Sequence, residues 1–261
     1  MSALRIVVLT KPVPDPTSAE HLGPDGRVDR SAGNVMNGND EYALEAALKL
    51  VDAEGGEVTL LAMSPDSGRD VLRKGLAMGA TRGVLITDPA LAGSDWLTTI
   101  RVLAAALRLE EYDLLLAGVD TSDGGAGLVP AGLAALLGLP YLSNAAAIAP
   151  ADGAVRVNRI TATGFETLEA ATPAVIGATQ ALGAPRYPTL KGIMGARSRE
   201  IAIRTLADLG LDPSTVGVGG AATRVVDLRG PQERGEARIV RGSAADAARD
   251  VVDFLASRGF V

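Results

Sequence analysis

In the first half of the chain, short apolar runs bounded by turn residues alternate with longer segments of helical period, and few folds satisfy that alternation. A run with no polar face must be covered on both sides, so these runs predict parallel strands in βαβ units with helices packed on the sheet. Residues 5–10 read as a strand, 40–52 as a helix, 57–63 as a strand, and 67–78 as a helix with Asp66 or Ser67 as its N-cap. Gly79 supplies the glycine that closes that helix. Strands at 83–87 and 113–117 then flank a helix at 95–109, and a further helix begins near Gly125 after the glycine-rich loop 118–127. The order is that of an α/β, doubly wound, mostly parallel sheet.

After that loop the pattern changes. Residues 143–148, 155–161, 166–171 and 174–178 are β-rich or of period two, with the turn Ala151-Asp152-Gly153 between the first two, and they read as β-hairpin strands added to the sheet. A short amphipathic stretch, 190–197, follows Pro185-Arg186-Tyr187-Pro188. Beyond Gly210 the chain is rich in loops, punctuated by Gly217-Val218-Gly219-Gly220. The tail holds an acidic and basic linker through Glu236, a strand-like 237–240, and an Ala-rich helix at 243–256 capped by Ser243. The expected division is an α/β domain over 1–222 and a C-terminal arm over 223–261.

Composition excludes several function classes. With 47% hydrophobic and 21% charged residues, the 261-residue chain has enough apolar surface to fold around a core. The formal charge is −6 and the basic residues are scattered, which leaves no footprint for nucleic acid. No cysteine and one histidine, His21, exclude disulfides and thiolate iron–sulfur ligation and disfavour zinc, so a redox role requires an organic cofactor. His21 lies in a polar stretch and reads as a solvated loop residue, while Trp96 opens a helix pattern and reads as a packing residue. The apolar run at the N-terminus is too short for a signal peptide, and no later run reaches the ~20 residues of a membrane helix, so a cytoplasmic protein is expected.

In an open parallel sheet ligands bind at the carboxyl ends of the strands, where the strand order reverses. The loop after the first strand, Lys11-Pro12-Val13-Pro14-Asp15-Pro16, has no Gly-x-Gly-x-x-Gly pattern, which disfavours the usual NAD site. The loop Gly118-Val119-Asp120-Thr121-Ser122-Asp123-Gly124-Gly125-Ala126-Gly127-Leu128-Val129 follows an apolar strand and opens a helix. Its glycines and the helix N-terminus favour a phosphate, with Thr121 and Ser122 as hydroxyl donors and Asp123 as a helix cap or ribose contact; a tight strand-to-helix turn satisfies the same residues. A second polar loop, Asn34-Val35-Met36-Asn37-Gly38-Asn39-Asp40, is expected first to cap its helix through Asn39 or Asp40, and its short polar residues can hydrogen-bond a nucleotide at the same time.

Three stretches together carry a resemblance. Asn37-Gly38-Asn39-Asp40-Glu41-Tyr42-Ala43-Leu44-Glu45-Ala46-Ala47, then Leu72-Arg73-Lys74-Gly75-Leu76-Ala77-Met78-Gly79-Ala80-Thr81-Arg82-Gly83, then Pro185-Arg186-Tyr187-Pro188-Thr189-Leu190-Lys191-Gly192-Ile193-Met194 resemble the electron transfer flavoprotein beta family, in order, over roughly residues 5–201. The last stretch is the specific one, matching a Pro-Arg-Tyr-x-Thr-Leu-x-x-Ile-Met signature. The resemblance implies an adenine-nucleotide-binding α/β fold. It also implies a structural AMP contacted by Leu9, Asn37, Gly38, Asn39, Asp40, Met63 and the loop from Val119 through Asp120, Thr121, Ser122, Asp123, Gly124, Gly125, Ala126, Gly127 and Leu128 to Val129. A redox FAD would lie mostly on a partner alpha subunit, which the C-terminal arm contacts. Leu190, Ile193 and Met194, in a recognition loop near 184–200, would anchor a flavin-dependent dehydrogenase such as an acyl-CoA dehydrogenase, and a quinone reductase or another acceptor would take the electrons. The chain would then be an electron carrier without catalysis of its own.

Two positions depart from the family pattern. Gly195-Ala196-Arg197-Ser198-Arg199-Glu200 is less basic than the usual lysine cluster, which implies weaker electrostatic steering or a different partner. Asn37-Gly38-Asn39 replaces Asn-Pro-Phe and removes an aromatic ring beside the nucleotide loop. Two further readings use the same loops: an electron-bifurcating type with a second FAD in place of AMP, and a stand-alone adenine-nucleotide sensor, to which the recognition stretch and the arm would be superfluous. An ATP-consuming enzyme is disfavoured, because its pyrophosphate loop would follow the first strand, where this chain has Lys11-Pro12.

Overall fold

The apolar runs form the inner strands of a nine-stranded sheet. The computed structural model describes residues 3–17, 22–23, 26–30, 33–227, 237 and 239–261. The strands are β1 (Leu4–Leu9), β2 (Pro12–Pro14), β3 (Asn34–Met36), β4 (Gly56–Met63), β5 (Arg82–Ile86), β6 (Leu114–Gly118), β7 (Tyr141–Ala151), β8 (Ala154–Thr161), β9 (Gly164–Ala171), β10 (Ala174–Ala178) and β11 (Ile201–Arg204). The large sheet has the order β11-β5-β4-β1-β6-β10-β7-β8-β9, while β2 and β3 pair separately and antiparallel. From β11 across to β7 every neighbouring pair is parallel; β7, β8 and β9 are antiparallel.

The helices are α1 (Gly38–Glu54), α2 (Arg69–Met78), α3 (Trp96–Leu107), α4 (Val129–Leu137), α5 (Leu190–Ala196), α6 (Gly217–Gly220) and α7 (Ala244–Ser257). Because successive strand side chains point to opposite faces, β1 divides its apolar residues between two cores. Ile6 and Val8 pack with Leu44, Leu72 and Leu76 of α1 and α2, whereas Val7 and Leu9 pack with Ile100, Leu103 and Leu133 of α3 and α4. Each fully buried Leu or Ile contributes about 1.5–3 kcal/mol relative to exposure, so both faces of the sheet need their helices.

Five local expectations are corrected. β10 is no hairpin strand: it runs parallel between β6 and β7, and all five of its residues are buried. α4 begins at Val129, four residues after Gly125, because Gly125 (φ +56°) and Gly127 (φ +59°) hold the loop in left-handed turns. Neither Asp66 nor Ser67 caps α2; a 3-10 turn, Asp66–Gly68, precedes it, and the Asp66 carboxylate accepts from Arg69 Nε at 2.6 Å. The strand-like segment is irregular at Ala237, Ile239 and Val240. Trp96, expected to pack, is 38% exposed, and His21 and residues 228–236 lie outside the described residues. Asp95 caps α3 by accepting from Thr98 N at 2.9 Å, and Gly79 closes α2 at φ +135°.

The chain divides into two units, Met1–Arg224 and Val225–Val261. The second holds α7, whose N-cap Ser243 accepts from Asp246 N. No residue of α7 is buried, and Val251, Val252 and Phe254 are exposed on it. Among the described residues no helix is long and apolar enough to cross a membrane.

Candidate functional site

The chain leaves β1 for β4 and β5 on one side of the sheet and returns through β6 and β10 on the other, so strand order reverses between β1 and β6. The carboxyl ends of these two parallel strands open a crevice there. The N-terminus of α1, which packs on both β1 and β6, points into the same region. Three segments therefore meet: Lys11 after β1, Asn37 to Asp40 at the start of α1, and the loop after β6.

Side chains of α1 hold the segments together. Asn37 stands at the N-cap position but makes no capping bond. Its Nδ2 instead donates to Asp40 Oδ1 at 3.1 Å and to the Asp120 carbonyl at 2.9 Å, while its Oδ1 accepts from Ser122 N at 3.3 Å. Asn39 Nδ2 donates to the same carbonyl at 3.2 Å. Asp40 is buried and accepts the Lys11 backbone N–H at 2.8 Å. The capping expected of Asn39 or Asp40 is not made: both lie inside the first turn of α1, after Asn37 at the N-cap position, and tie the helix to the neighbouring loops. Gly118 permits the close approach, since a Cβ there would lie 2.5 Å from Asp40 Oδ1 and 2.7 Å from Asn39 Cβ.

The loop after β6 is folded on itself. Asp120 Oδ1 accepts from Thr121 N at 2.7 Å and Gly127 N at 3.0 Å, and Gly125 N donates to the Thr121 carbonyl at 3.0 Å. Asp123 neither caps α4 nor faces open solvent. Its carboxylate, 1% exposed, is held by Lys11 Nζ at 2.7 Å and by Arg30 Nη2. Burial pushes Asp123 up, but the hydrogen bonds and charges of Lys11 and Arg30 outweigh it and hold it below the usual carboxylate range. Burial lifts Asp40 to about 7 against the donors from Asn37, Lys11 and Gly118.

An open cleft of about 260 Å³ lies between these segments, lined by Asn37, Gly38, Asn39, Tyr42, Asp120, Thr121 and Ser122. Its walls carry the Thr121 and Ser122 hydroxyls, backbone of the glycine-rich loop and the Tyr42 ring, while the Asn37 and Asn39 amides are turned to the Asp120 carbonyl beneath. At its mouth the loop is exposed from Gly124 to Leu128, and nothing lies within 4 Å of where a Gly125 Cβ would sit, so backbone there is open to approach. The expected residues Asn37, Gly38, Asn39, Asp120, Thr121 and Ser122 thus come together. Asp40 sits beneath them, and Gly124, Gly125, Ala126, Gly127, Leu128 and Val129 lead away toward α4. Leu9 and Met63 end β1 and β4 at the same edge of the sheet without lining the cleft. Lys11, Arg30 and Tyr42 were not foreseen as site residues. The signal for Lys11 was its place directly after the first strand, opposite an aspartate in the glycine-rich loop.

The second expected site is α5. Leu190, Ile193 and Met194 are 75%, 44% and 65% exposed, and Tyr187 just before them is 92% exposed. A core role for these side chains is ruled out by that exposure. Thr189 caps the helix by accepting from Gly192 N at 3.0 Å. α5 rests on α2, where the absent Cβ of Gly192 would stand 2.2 Å from the Ala77 carbonyl.

Comparison with known proteins adds to this geometry. Residues 25–209 match the family model described as the electron transfer flavoprotein domain. The electron transfer flavoprotein subunit beta of Mycobacterium leprae is 36% identical, over 98% of this chain and 99% of its own length. That of Thermoanaerobacterium thermosaccharolyticum is 32% identical, again over 98% of this chain and 99% of its own. The acryloyl-CoA reductase electron transfer subunit gamma of Anaerotignum propionicum is 33% identical over 97% of this chain and 98% of its own length.

Proposed function

The chain belongs to the electron transfer flavoprotein beta-subunit family, and from that premise we propose that it pairs with an alpha subunit to carry electrons on FAD, with an AMP in the cleft between β1 and β6. The observation that carries the nucleotide half of this reading is the convergence of Asn37, Asn39 and the glycine-rich loop at the switch in strand order. In it, Thr121, Ser122 and the loop amides hold the phosphate, while Asn37 and Asn39 fix the loop from beneath. The AMP is structural: it fills the cleft and orders the loop.

FAD, bound mostly by the alpha subunit, supplies the redox chemistry, accepting electrons from a reduced dehydrogenase flavin and releasing them to an acceptor. This chain's part is to complete the heterodimer through its C-terminal arm and to dock the donor. Exposed apolar side chains on α5 are the docking anchor, with Leu190 at its centre; a few side chains seated in a desolvated pocket carry most of the energy of an interface. The donor class is a flavin-dependent dehydrogenase acting on acyl-CoA thioesters, and the acceptor a quinone reductase. A site of action in the cytoplasm accompanies this reading.

The test is electron flow. The chain is coexpressed with an alpha subunit, and the purified heterodimer is mixed with an acyl-CoA dehydrogenase and its substrate while flavin absorbance is followed. Bleaching of the heterodimer's FAD that depends on the dehydrogenase, reversed by a quinone reductase and quinone, supports the carrier. A chain that stays monomeric beside every alpha subunit tried, and binds adenine nucleotide by itself, contradicts it and favours the sensor.

A further inference from the structure

Arg186 lies four residues before Leu190, on the segment that brings the chain from β10 to α5, and its contacts lead into the core. Its Nε and Nη2 grip Glu45 of α1 in a side-on fork at 2.8 and 3.2 Å, and its backbone N–H adds a third bond to Glu45 Oε2 at 3.0 Å. Nη2 also reaches Asp52, one turn beyond Lys49 on α1, at 2.9 Å. Glu45 is a buried carboxylate, its side chain 5% exposed, while the Arg186 side chain is 34% exposed. Lys49 Nζ stands 3.8 Å from Oε1 as well, but the planar guanidinium fork binds both oxygens with a fixed direction, which a lysine, a point charge on a flexible stem, does not supply.

This pair is one of two mounts for α5. The other is on α2, where Gly192 meets the Ala77 carbonyl and Arg73 donates to the carbonyls of Ala196 and Arg199 at the far end of the helix. Between the mounts, Leu190, Ile193 and Met194 stand out from the surface. A seven-residue helix has too few internal hydrogen bonds to fix its own orientation, so the direction of its apolar face is set by what holds its ends. The Gly192 contact and Arg73 hold the middle and the far end; the end that carries Leu190 is held through Thr189, Pro188 and Tyr187 by Arg186.

We propose that Arg186 is a positioning residue for partner docking: its fork onto buried Glu45 fixes the Leu190 end of α5 against the rigid helix α1. This rests on the reading of α5 as the dehydrogenase anchor. Arg186 does not touch the donor or the flavin, and its effect passes through the placement of Leu190.

The experiment measures reduction of heterodimer FAD over a range of acyl-CoA dehydrogenase concentrations, giving KM for the dehydrogenase and kcat, for Arg186→Gln, Arg186→Lys, Leu190→Ala and the Arg186→Gln/Leu190→Ala double variant. Because Arg186→Gln leaves the buried Glu45 carboxylate with only the backbone N–H of residue 186 and Lys49 Nζ at 3.8 Å, which can impair folding, Glu45→Gln/Arg186→Gln, with two neutral amides facing each other, is measured beside them. The expected result is a KM raised about tenfold in Arg186→Gln with kcat within about twofold, and a smaller rise in Arg186→Lys, which keeps the charge and loses the fork. The double variant should be no worse than Leu190→Ala alone, the non-additivity expected when one residue acts through the other. If Leu190→Ala raises KM and neither Arg186→Gln nor Glu45→Gln/Arg186→Gln does, the positioning role is overturned and the anchor stands. Additive effects in the double variant also overturn it. If Leu190→Ala leaves KM unchanged, the anchor reading fails and this inference with it.

Discussion

Asp40 and Asp123 brace the same loops with opposite proton affinities. Burial raises Asp40 from 3.8 to about 7, so its contribution to stability is fully present below about 3.8 and is lost as pH rises through about 7. Asp123 and Asp95 behave in reverse. Asp95 is pushed up by burial, but its bonds from Thr98 and Thr223 win and bring it to about 2, so its contribution is present above 3.8 and lost as pH falls toward 2. Asp40→Asn leaves one of the donors from Lys11 and Asn37 without an acceptor, and should cost about 1–3 kcal/mol at pH 5. Denaturant midpoints of variant and wild type should approach one another between pH 5 and 8; a gap that widens with pH would refute the assignment. Gly118→Ala places a methyl against Asp40 and the Asn39 backbone, and should cost about 1–3 kcal/mol through overpacking, read as a lower thermal midpoint. The polar residues around the cleft were legible as a group, since Asn and Asp clusters beside glycines mark loops. Their bonding was not: Asn37 reaches Asp120 across 83 positions in sequence, and no local pattern carries such a contact.

Among the elements, strands and helices of the first half were readable because burial on both faces of a parallel strand leaves an unbroken apolar run. β10 shows the limit of that reading. Ala174-Val175-Ile176-Gly177-Ala178 has the same unbroken character as β6, yet its position after three hairpin-like segments placed it with them, while in space it joins β6 to β7. The start of α4 was misplaced for a different reason: glycines predict a turn without fixing where it ends, and two left-handed residues delayed the helix to Val129. α5 was recognised by its signature and not by its period, because seven residues with exposed Leu190 and Met194 have the same apolar spacing as a core helix. Gly125→Val tests the glycine-rich loop as an element. A β-branched residue at φ +56° is strained even with open space around it, and the heterodimer should lose about tenfold or more in AMP affinity while keeping its FAD. Unchanged AMP affinity would remove the loop from the site.

At the scale of the whole molecule, the strand order reverses between β1 and β6, where a parallel sheet opens a crevice for a ligand, and the unit Val225–Val261 carries α7 with no buried residue, the arm proposed to meet the alpha subunit. Deleting residues 225–261 should leave the circular dichroism of the larger unit nearly intact and abolish copurification with the alpha subunit; copurification that survives the deletion would deny the arm its role. In the proposed heterodimer this beta-subunit family member keeps a structural AMP beside a partner's FAD. The direct measurement is release of bound nucleotides from the purified heterodimer and their chromatographic quantification. One AMP and one FAD per heterodimer is the predicted result. Two FAD and no AMP would contradict it and identify a bifurcating type, and FAD with no nucleotide in this chain would leave the cleft between β1 and β6 without its proposed ligand.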